Sequence, residues 1–447
     1  MMSLNNFFAE KISLPISDFI TGQDISKYFK FLMESKNWSR KQLDDFQNLR
    51  LKKLIFHAYN NVPYYNDLFN SLNLKPDDIQ RKEDLIKLPI LTKSIMKNEG
   101  IARFTAKNIP SKEIIKNSSS GSTGEPFFFL VTKRSYSMEI ASNLRGWYDM
   151  NYRLGDKFIK VSVNPRSNFI KKIQDKVIHN LYLPSNPMTN DRLEQILNQI
   201  EVYRPNIIRW YSDPLLLLAE LKEKESTKYN YMPKAINTTG NILTPNDREI
   251  IEKSFGCKIF DSYGCEGNST IFECHSHTCY HSTDEYGITE VLDKSGKHIV
   301  NGVGKLISTD LWNYAHPFIR YDTQDLIEVN DKICSCGRNH LKVVRILGRD
   351  NEVLIMPSGR KFIVHDFTGF FESPSKELNK SIDYFQVLKK QNNIVVFKLV
   401  VNNHYNENVK FYLINYWQKE FGIKVEIEIV DNIPIMQNNK RKFIINE

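Results

Sequence analysis

KFIKVSV at residues 157–163, DRLEQILNQIEVY at 191–203, NIIRWY at 206–211 and CKIFDSYG at 257–264 alternate short apolar runs with a helical pattern. Strand-length runs rich in β-branched and aromatic residues, separated by helices of this size, specify an α/β layered sheet with helices on its faces. The same texture opens with the helical RSYSMEIASNLRGWYDM at 134–150 and continues to about Gly348. Beyond that point it changes. VLIMPSGRKFIV, DYFQVLKKQNNIVVFKLVV and KVEIEIV read as strands, and NENVKFYLINYWQKEF reads as a helix between the last two. A small α+β domain of about a hundred residues accounts for this part. The expected organisation is therefore a large domain over residues 1–347 and a small mobile one over 348–447.

Toward the N-terminus, Leu51, Leu54, Ile55 and Ala58 fall on one face of a helical run that Pro63 stops. A polar helix-and-turn stretch follows, leading to Pro89 and then to a Ser/Gly-rich segment at 117–126. FFFLV after it reads as a buried strand.

The 447 residues exceed what one hydrophobic core usually supports, and 41% hydrophobic with 25% charged residues is an ordinary globular composition. The net charge of +9 is spread over short clusters, so nothing in it requires a nucleic-acid partner. A mild basic excess suits anionic substrates such as ATP or CoA, as well as an ordinary bias in surface lysine. The start, MMSLNNFFAEKISLP, lacks the features of a secretory signal, and no apolar run is long enough to span a bilayer. The expected location is the cytoplasm, with a homodimer compatible with the sequence.

The segment SSSGSTGEP, Ser118 to Pro126, packs two glycines, four serines and a threonine into nine residues. Such a loop can turn backbone N–H groups and hydroxyls toward phosphate oxygens, and a plain surface turn has the same composition. It is not a Walker A loop, because Glu125 stands where a lysine is required. Ser119 to Pro126 resembles the first nucleotide-binding motif of the adenylate-forming superfamily, which includes acyl-CoA synthetases, peptide-synthetase adenylation domains and phenylacetate-CoA ligases. Four further segments resemble that superfamily's motifs in the expected order. IFDSYGCE at 259–266 is similar to an aromatic-Gly-x-x-Glu motif, with Glu266 one residue early. IRYDTQD at 319–325 is similar to Tyr-Arg-Thr-Gly-Asp, with Asp322 and Gln324 replacing arginine and glycine. LGRDNE at 347–352 is similar to the Gly-Arg-x-x-Asp hinge, and IPIMQNNKRKFIINE to the terminal lysine motif. The region 60–98, with Leu88-Pro89 leading to Lys93, is similar to phenylacetate-CoA ligases and their capsule-biosynthesis relatives.

The resemblance implies a set of roles. Ser119, Ser120, Gly121, Ser122, Thr123 and Gly124 hold phosphates, and Tyr263, with Asp261 and Gly264 beside it, packs near adenine. Glu266 helps hold Mg²⁺, Asp325 accepts hydrogen bonds from the ribose hydroxyls, and Arg349 reaches the nucleotide. Lys440 inserts into the active site, so that Lys440, Glu266 and Thr123 take part in catalysis. Trp210, Tyr211, Thr238, Thr239 and Gly240 lie on strand ends that resemble acyl-pocket segments, although core packing is the commoner use of a Trp-Tyr pair.

FECHSHTCYH at 272–281 and ICSCGRNH at 333–340 suit a tetrahedral, structural zinc. Cys274, His281, Cys334 and Cys336 are the expected ligands, with Cys279 the alternative to His281 and unliganded thiols the competing reading. Together these features imply an ATP- and Mg²⁺-dependent ligase that turns a carboxylic acid into an acyl-AMP and passes the acyl group to CoA. The alternatives are transfer to the amine of an amino sugar or amino acid, and a catalytically silent nucleotide-binding protein.

Overall fold

The computed structural model describes residues 3–118, 128–163, 169–186, 188–265, 269–349, 353–356, 361–363, 367, 381–390, 394–436 and 441–446. A short antiparallel hairpin comes first, β1 (Ile114–Ser118) with β2 (Phe128–Thr132). Phe128 is exposed while Phe129 and Val131 are buried, so FFFLV is a half-covered hairpin strand rather than a fully buried one.

The main sheet follows: β3 (Phe158–Ser162), β4 (Asn180–Pro184), β5 (Ile207–Tyr211), β6 (Ala235–Thr239), β7 (Lys258–Cys265), β8 (Ser269–Glu273), β9 (Tyr280–Ser282), β10 (Gly287–Leu292), β11 (Gly302–Asp310), β12 (Tyr321–Val329) and β13 (Lys342–Arg349). Its order is β10-β11-β12-β13-β9-β8-β7-β6-β5-β3-β4. The five strands from β4 to β7 are parallel, and the rest of the sheet pairs antiparallel. Parallel neighbours require crossovers; Phe169–Val177 links β3 to β4, and the helices Asn190–Tyr203, Ser212–Lys224 and Pro245–Phe255 make the other three connections. Local chemistry fixes their ends. Thr244 caps Pro245–Phe255 through Asp247 N, Pro245 occupies its first turn, and Gly256 closes it at φ 61°.

The strands β3, β5, β6 and β7 are covered on both faces. Ile159, Val161, Ile208, Trp210, Ile236 and Ile259 point to one side and pack with those crossover helices. Phe158, Ile207, Ala235 and Phe260 point to the other, toward the helix Lys133–Asp149 and the N-terminal helices. The periodic helix read in the sequence is Arg40–Asn61, with Leu51, Leu54, Ile55 and Ala58 fully buried, and Pro63 opens the next helix.

The C-terminal part has its own sheets and its own core. β14 (Val353–Ile355) pairs with β15 (Lys361–Ile363). β16 (Ile382–Lys389), β17 (Val395–Val401), β18 (Val425–Ile429) and β19 (Ile444–Asn446) form a second sheet in the order β18-β17-β16-β19. The helix Glu407–Phe421 covers it, burying Leu413 and Trp417 against Val387, Phe397 and Leu399. Among the described residues, no helix is long and apolar enough to cross a membrane.

Candidate active site

A cavity of about 970 Å³ opens between the main sheet, the helix Lys133–Asp149 and the chain's last residues. Asn117 and Ser118, which lead into the Ser/Gly-rich loop, line it together with Tyr263, Gly264, Asp325 and Arg349. Arg441 to Ile444 close it from the C-terminal side. The predicted site residues Ser119, Ser120, Gly121, Ser122, Thr123, Gly124, Glu266 and Lys440 lie outside the described residues.

Strand pairing brings the other predicted residues together. Asp325 on β12 faces Arg349 on β13 across the antiparallel ladder. Tyr263, near the end of β7, donates its hydroxyl to Asp325 Oδ2 at 2.7 Å. Burial, together with the Asp325 charge, pushes the Tyr263 hydroxyl well above its ordinary range, so it stays protonated and donating. Gly348, just before Arg349, has φ 83°, and a Cβ there would stand 2.6 Å from Ile242 Cδ1, so only glycine fits without movement. The early Leu-Pro segment docks on the Asp325 motif. Leu91 N donates to Arg320 O, Asp322 N donates to Leu91 O, and Lys93 reaches the cavity.

Tyr211, Thr239 and Gly240 line the cavity as expected. The Tyr211 ring packs on Gly240, where a Cβ would lie 2.2 Å from its Cε1. Trp210 does not line it. Successive strand residues point to opposite faces, so Trp210 and Tyr211 cannot both do so, and Trp210 is buried with the crossover helices. Asp261 also has a second set of partners. It contributes to the cavity wall, yet it pairs in register with Thr238 beside Trp210, and its carboxylate accepts from Thr238 Oγ1 (2.7 Å) and Tyr280 OH (3.1 Å). Burial raises its pKa to about 7 against the pull of those donors. Its bonding braces the sheet at the cavity wall.

Several cavity residues escaped the sequence reading. Lys160 on β3 and Arg209 on β5 are register partners in the cavity wall; Tyr182 extends the row on one side, and the buried Asn237, behind the lining, on the other. Glu139 and Trp147 face them from the helix Lys133–Asp149. The signal was present in NIIRWY, where alternation sends Arg209 to the face of Tyr211.

Away from the cavity, Cys274, Cys279, His281 and Cys334 are buried with their ligand atoms within 4.8 Å of one another. The expected set omitted Cys279, which stands beside His281 rather than in its place: Cys279 Sγ lies 3.1 Å from Cys334 Sγ and 3.7 Å from His281 Nε2. Cys336 Sγ lies 3.2 Å from the same Nε2. All six cysteines are free thiols, and a Cys279–Cys334 separation far above a disulfide length agrees with that. Converging soft donors of this kind match a zinc site. The loop that follows is tied down by the Arg338–Asp149 ion pair at 2.6 Å and by a hydrogen-bond contact of His340 Nε2 with Glu285 at 3.0 Å. Burial opposes charge on Glu285, but Arg145 and His340 outweigh it and hold the carboxyl far below its ordinary range.

Known proteins resemble the chain along most of its length. The CapK C-terminal domain family matches residues 357–447. A phenylacetate-coenzyme A ligase from Thermus thermophilus is 25% identical over 339 residues, 72% of this chain and 74% of that protein. Protein CapK from Staphylococcus aureus is 23% identical over 420 residues, 90% of this chain and 89% of its own. Among solved structures, 2-hydroxyisobutyryl-CoA ligase in the postadenylation state superposes with a TM-score of 0.76 at 15% identity, covering 92% of this chain and 91% of that one, a likeness of fold.

Proposed function

Taking the chain as a member of the adenylate-forming superfamily, on the branch that holds phenylacetate-CoA ligases and CapK, we propose that it converts a carboxylic acid to an acyl-AMP and transfers the acyl group to CoA. It is an ATP-dependent, AMP-forming ligase, and acid activation is its chemistry.

One observation carries the reading. Ser118, Asp325, Arg349 and Arg441 line a single cavity, so the segments flanking the Ser/Gly-rich loop and Lys440 meet where a nucleotide would lie. In the first step a carboxylate oxygen of the acid attacks the α-phosphorus of ATP and pyrophosphate leaves. Catalysis here is mainly positioning and charge stabilisation. Asp325, oriented by Tyr263, accepts from the ribose hydroxyls; Arg349 and Lys440 meet the phosphate charge. The 119–124 loop orients the β and γ phosphates, with Thr123 among its donors. In the second step the CoA thiolate attacks the acyl carbon and AMP departs. Mg²⁺ accompanies ATP as its counter-ion, and Glu266, assigned to it by resemblance, lies outside the described residues.

We assign Cys274, Cys279, His281 and Cys334 to a structural zinc that would pin the 334–340 loop to the large domain. We likewise place the domain boundary at 347/348, with the C-terminal domain swinging about Gly348 between the two steps.

The similarity to CapK over 90% of the chain, and the CapK family match at 357–447, favour a second reading in which the acceptor is an amine. Incubation of the purified protein with ATP, an accepted acid and either CoA or a panel of amino sugars and amino acids, with mass detection, decides between thioester and amide. Pyrophosphate release that no carboxylic acid stimulates would overturn both.

A further inference from the structure

Strands covered on both faces are expected to be apolar throughout. In β3 and β5 that holds for one face only. Ile159, Val161, Ile208 and Trp210 are buried and apolar, while Lys160 and Arg209 point the other way, side by side in register and into the cavity. Trp147 lies under Arg209, with the guanidinium carbon 5.3 Å from the ring centroid. Its indole Nε1 donates to Asn237 Oδ1 at 3.1 Å, which fixes the ring.

Arg209 Nε is buried without a hydrogen-bond partner, and no described residue accepts a bond from the guanidinium. Arginine does not shed its proton, and this half-buried guanidinium turns into the cavity with no acceptor among the described residues, so the position suits an anion. Two carboxylates share this wall, Asp175 and Glu139. Glu139 neighbours both cations but bonds to neither, and burial favours its protonated form against the pull of Arg209 and Lys160.

Resting on the ligase reading above, we propose that Arg209 and Lys160 form an anion-binding floor to the acyl end of the cavity, and that the acid activated here carries a second acidic group, as a dicarboxylic acid does. Arg209 lies two residues, roughly 6–7 Å of strand, below the Tyr211 and Thr239 level where the reacting carboxyl would sit. That spacing suits a short diacid held by a paired guanidinium–carboxylate contact.

The test uses the full-length protein and matched acids: succinate with butyrate, glutarate with valerate, and 4-carboxyphenylacetate with phenylacetate. Pyrophosphate release is read as kcat/KM for each. The expected result is a diacid favoured at least tenfold in one or more pairs, a preference cut at least tenfold in Arg209→Met and partly kept in Arg209→Lys. The inference is overturned if no pair favours its diacid tenfold, or if folded Arg209→Met keeps the preference; should the variant fail to fold, the wild-type comparison decides. If no acid releases pyrophosphate, the ligase reading fails by itself. Calorimetric titration of the same acids in the presence of ATP then decides the pocket. Tighter binding of a diacid than of its monoacid upholds it, and equal or absent binding overturns it.

Discussion

The Tyr263 hydroxyl donates to Asp325 Oδ2 across 2.7 Å, joining the parallel half of the sheet to the antiparallel half at the cavity wall. A half-buried carboxylate held by a neutral donor is fixed in orientation, which suits the proposed role of receiving two ribose hydroxyls. Asp325→Ala should lower kcat/KM for ATP by about a hundredfold or more, given 1.5–3 kcal/mol for each hydrogen bond to a charged group. Tyr263→Phe, which removes only the orienting bond, should cost about tenfold. Acid-dependent ATP–pyrophosphate exchange measures both, and an Asp325→Ala enzyme with wild-type KM for ATP would remove the ribose assignment.

The neighbours Trp210 and Tyr211 should separate stability from specificity. Trp210 is 1% exposed among core side chains, so Trp210→Ala should destabilise by about 3–5 kcal/mol in urea unfolding and leave the ranking of accepted acids as it is. Tyr211→Ala, at the cavity wall, should reorder that ranking with a smaller loss of stability.

Protein prepared without added metal should carry about one equivalent of zinc by elemental analysis, as a closed four-ligand site binds it. Cys274→Ser and Cys279→Ser should each lose most of it, and chelation should lower the melting temperature. Less than a tenth of an equivalent in the wild type would remove the site.

His316 sets an acid limit on the fold. Its ring stacks between Phe104 and Phe318 at 5.4 and 5.5 Å, both ring nitrogens lack a partner among the described residues, and burial lowers its pKa to about 3. Because the folded value lies below the unfolded one of about 6.5, this contribution is complete above pH ~6.5 and declines as pH falls toward 3. Between pH 7.5 and 5 the loss should be about 2 kcal/mol. His316→Phe should flatten that part of the curve in urea unfolding, and an unchanged slope would refute the buried neutral ring.

Layering and strand alternation were legible because apolar periodicity is strong in the parallel strands, and the family motifs marked Asp325, Tyr263 and Arg349. Which face each strand residue takes was also encoded, yet the pair Trp210 and Tyr211 was read as one patch, at the expense of Arg209. The bracing role of Asp261 was not legible, because a carboxylate at a strand end is as apt for bracing as for binding and its partners Thr238 and Tyr280 lie on other strands. Cys279 was set against His281 as an alternative ligand, since spacing along the chain does not fix which donors a turn brings together. The ties that anchor the Cys-x-Cys loop, such as Arg338 to Asp149, join residues far apart in the chain and leave no local pattern.

The last strand has a mechanical consequence. Arg441 N donates to Asp213 of the large domain at 3.0 Å, its guanidinium lies 3.7 Å from the Tyr384 ring centroid, and Tyr384 OH reaches Glu220 at 2.6 Å. Three residues further on, Ile444 to Asn446 are laced into the C-terminal sheet beside β16. One short ribbon thus belongs to both lobes at once. Were the small lobe to turn as proposed, Arg441 would have to leave Asp213, so the turn and the release of this contact are geared together by the chain itself.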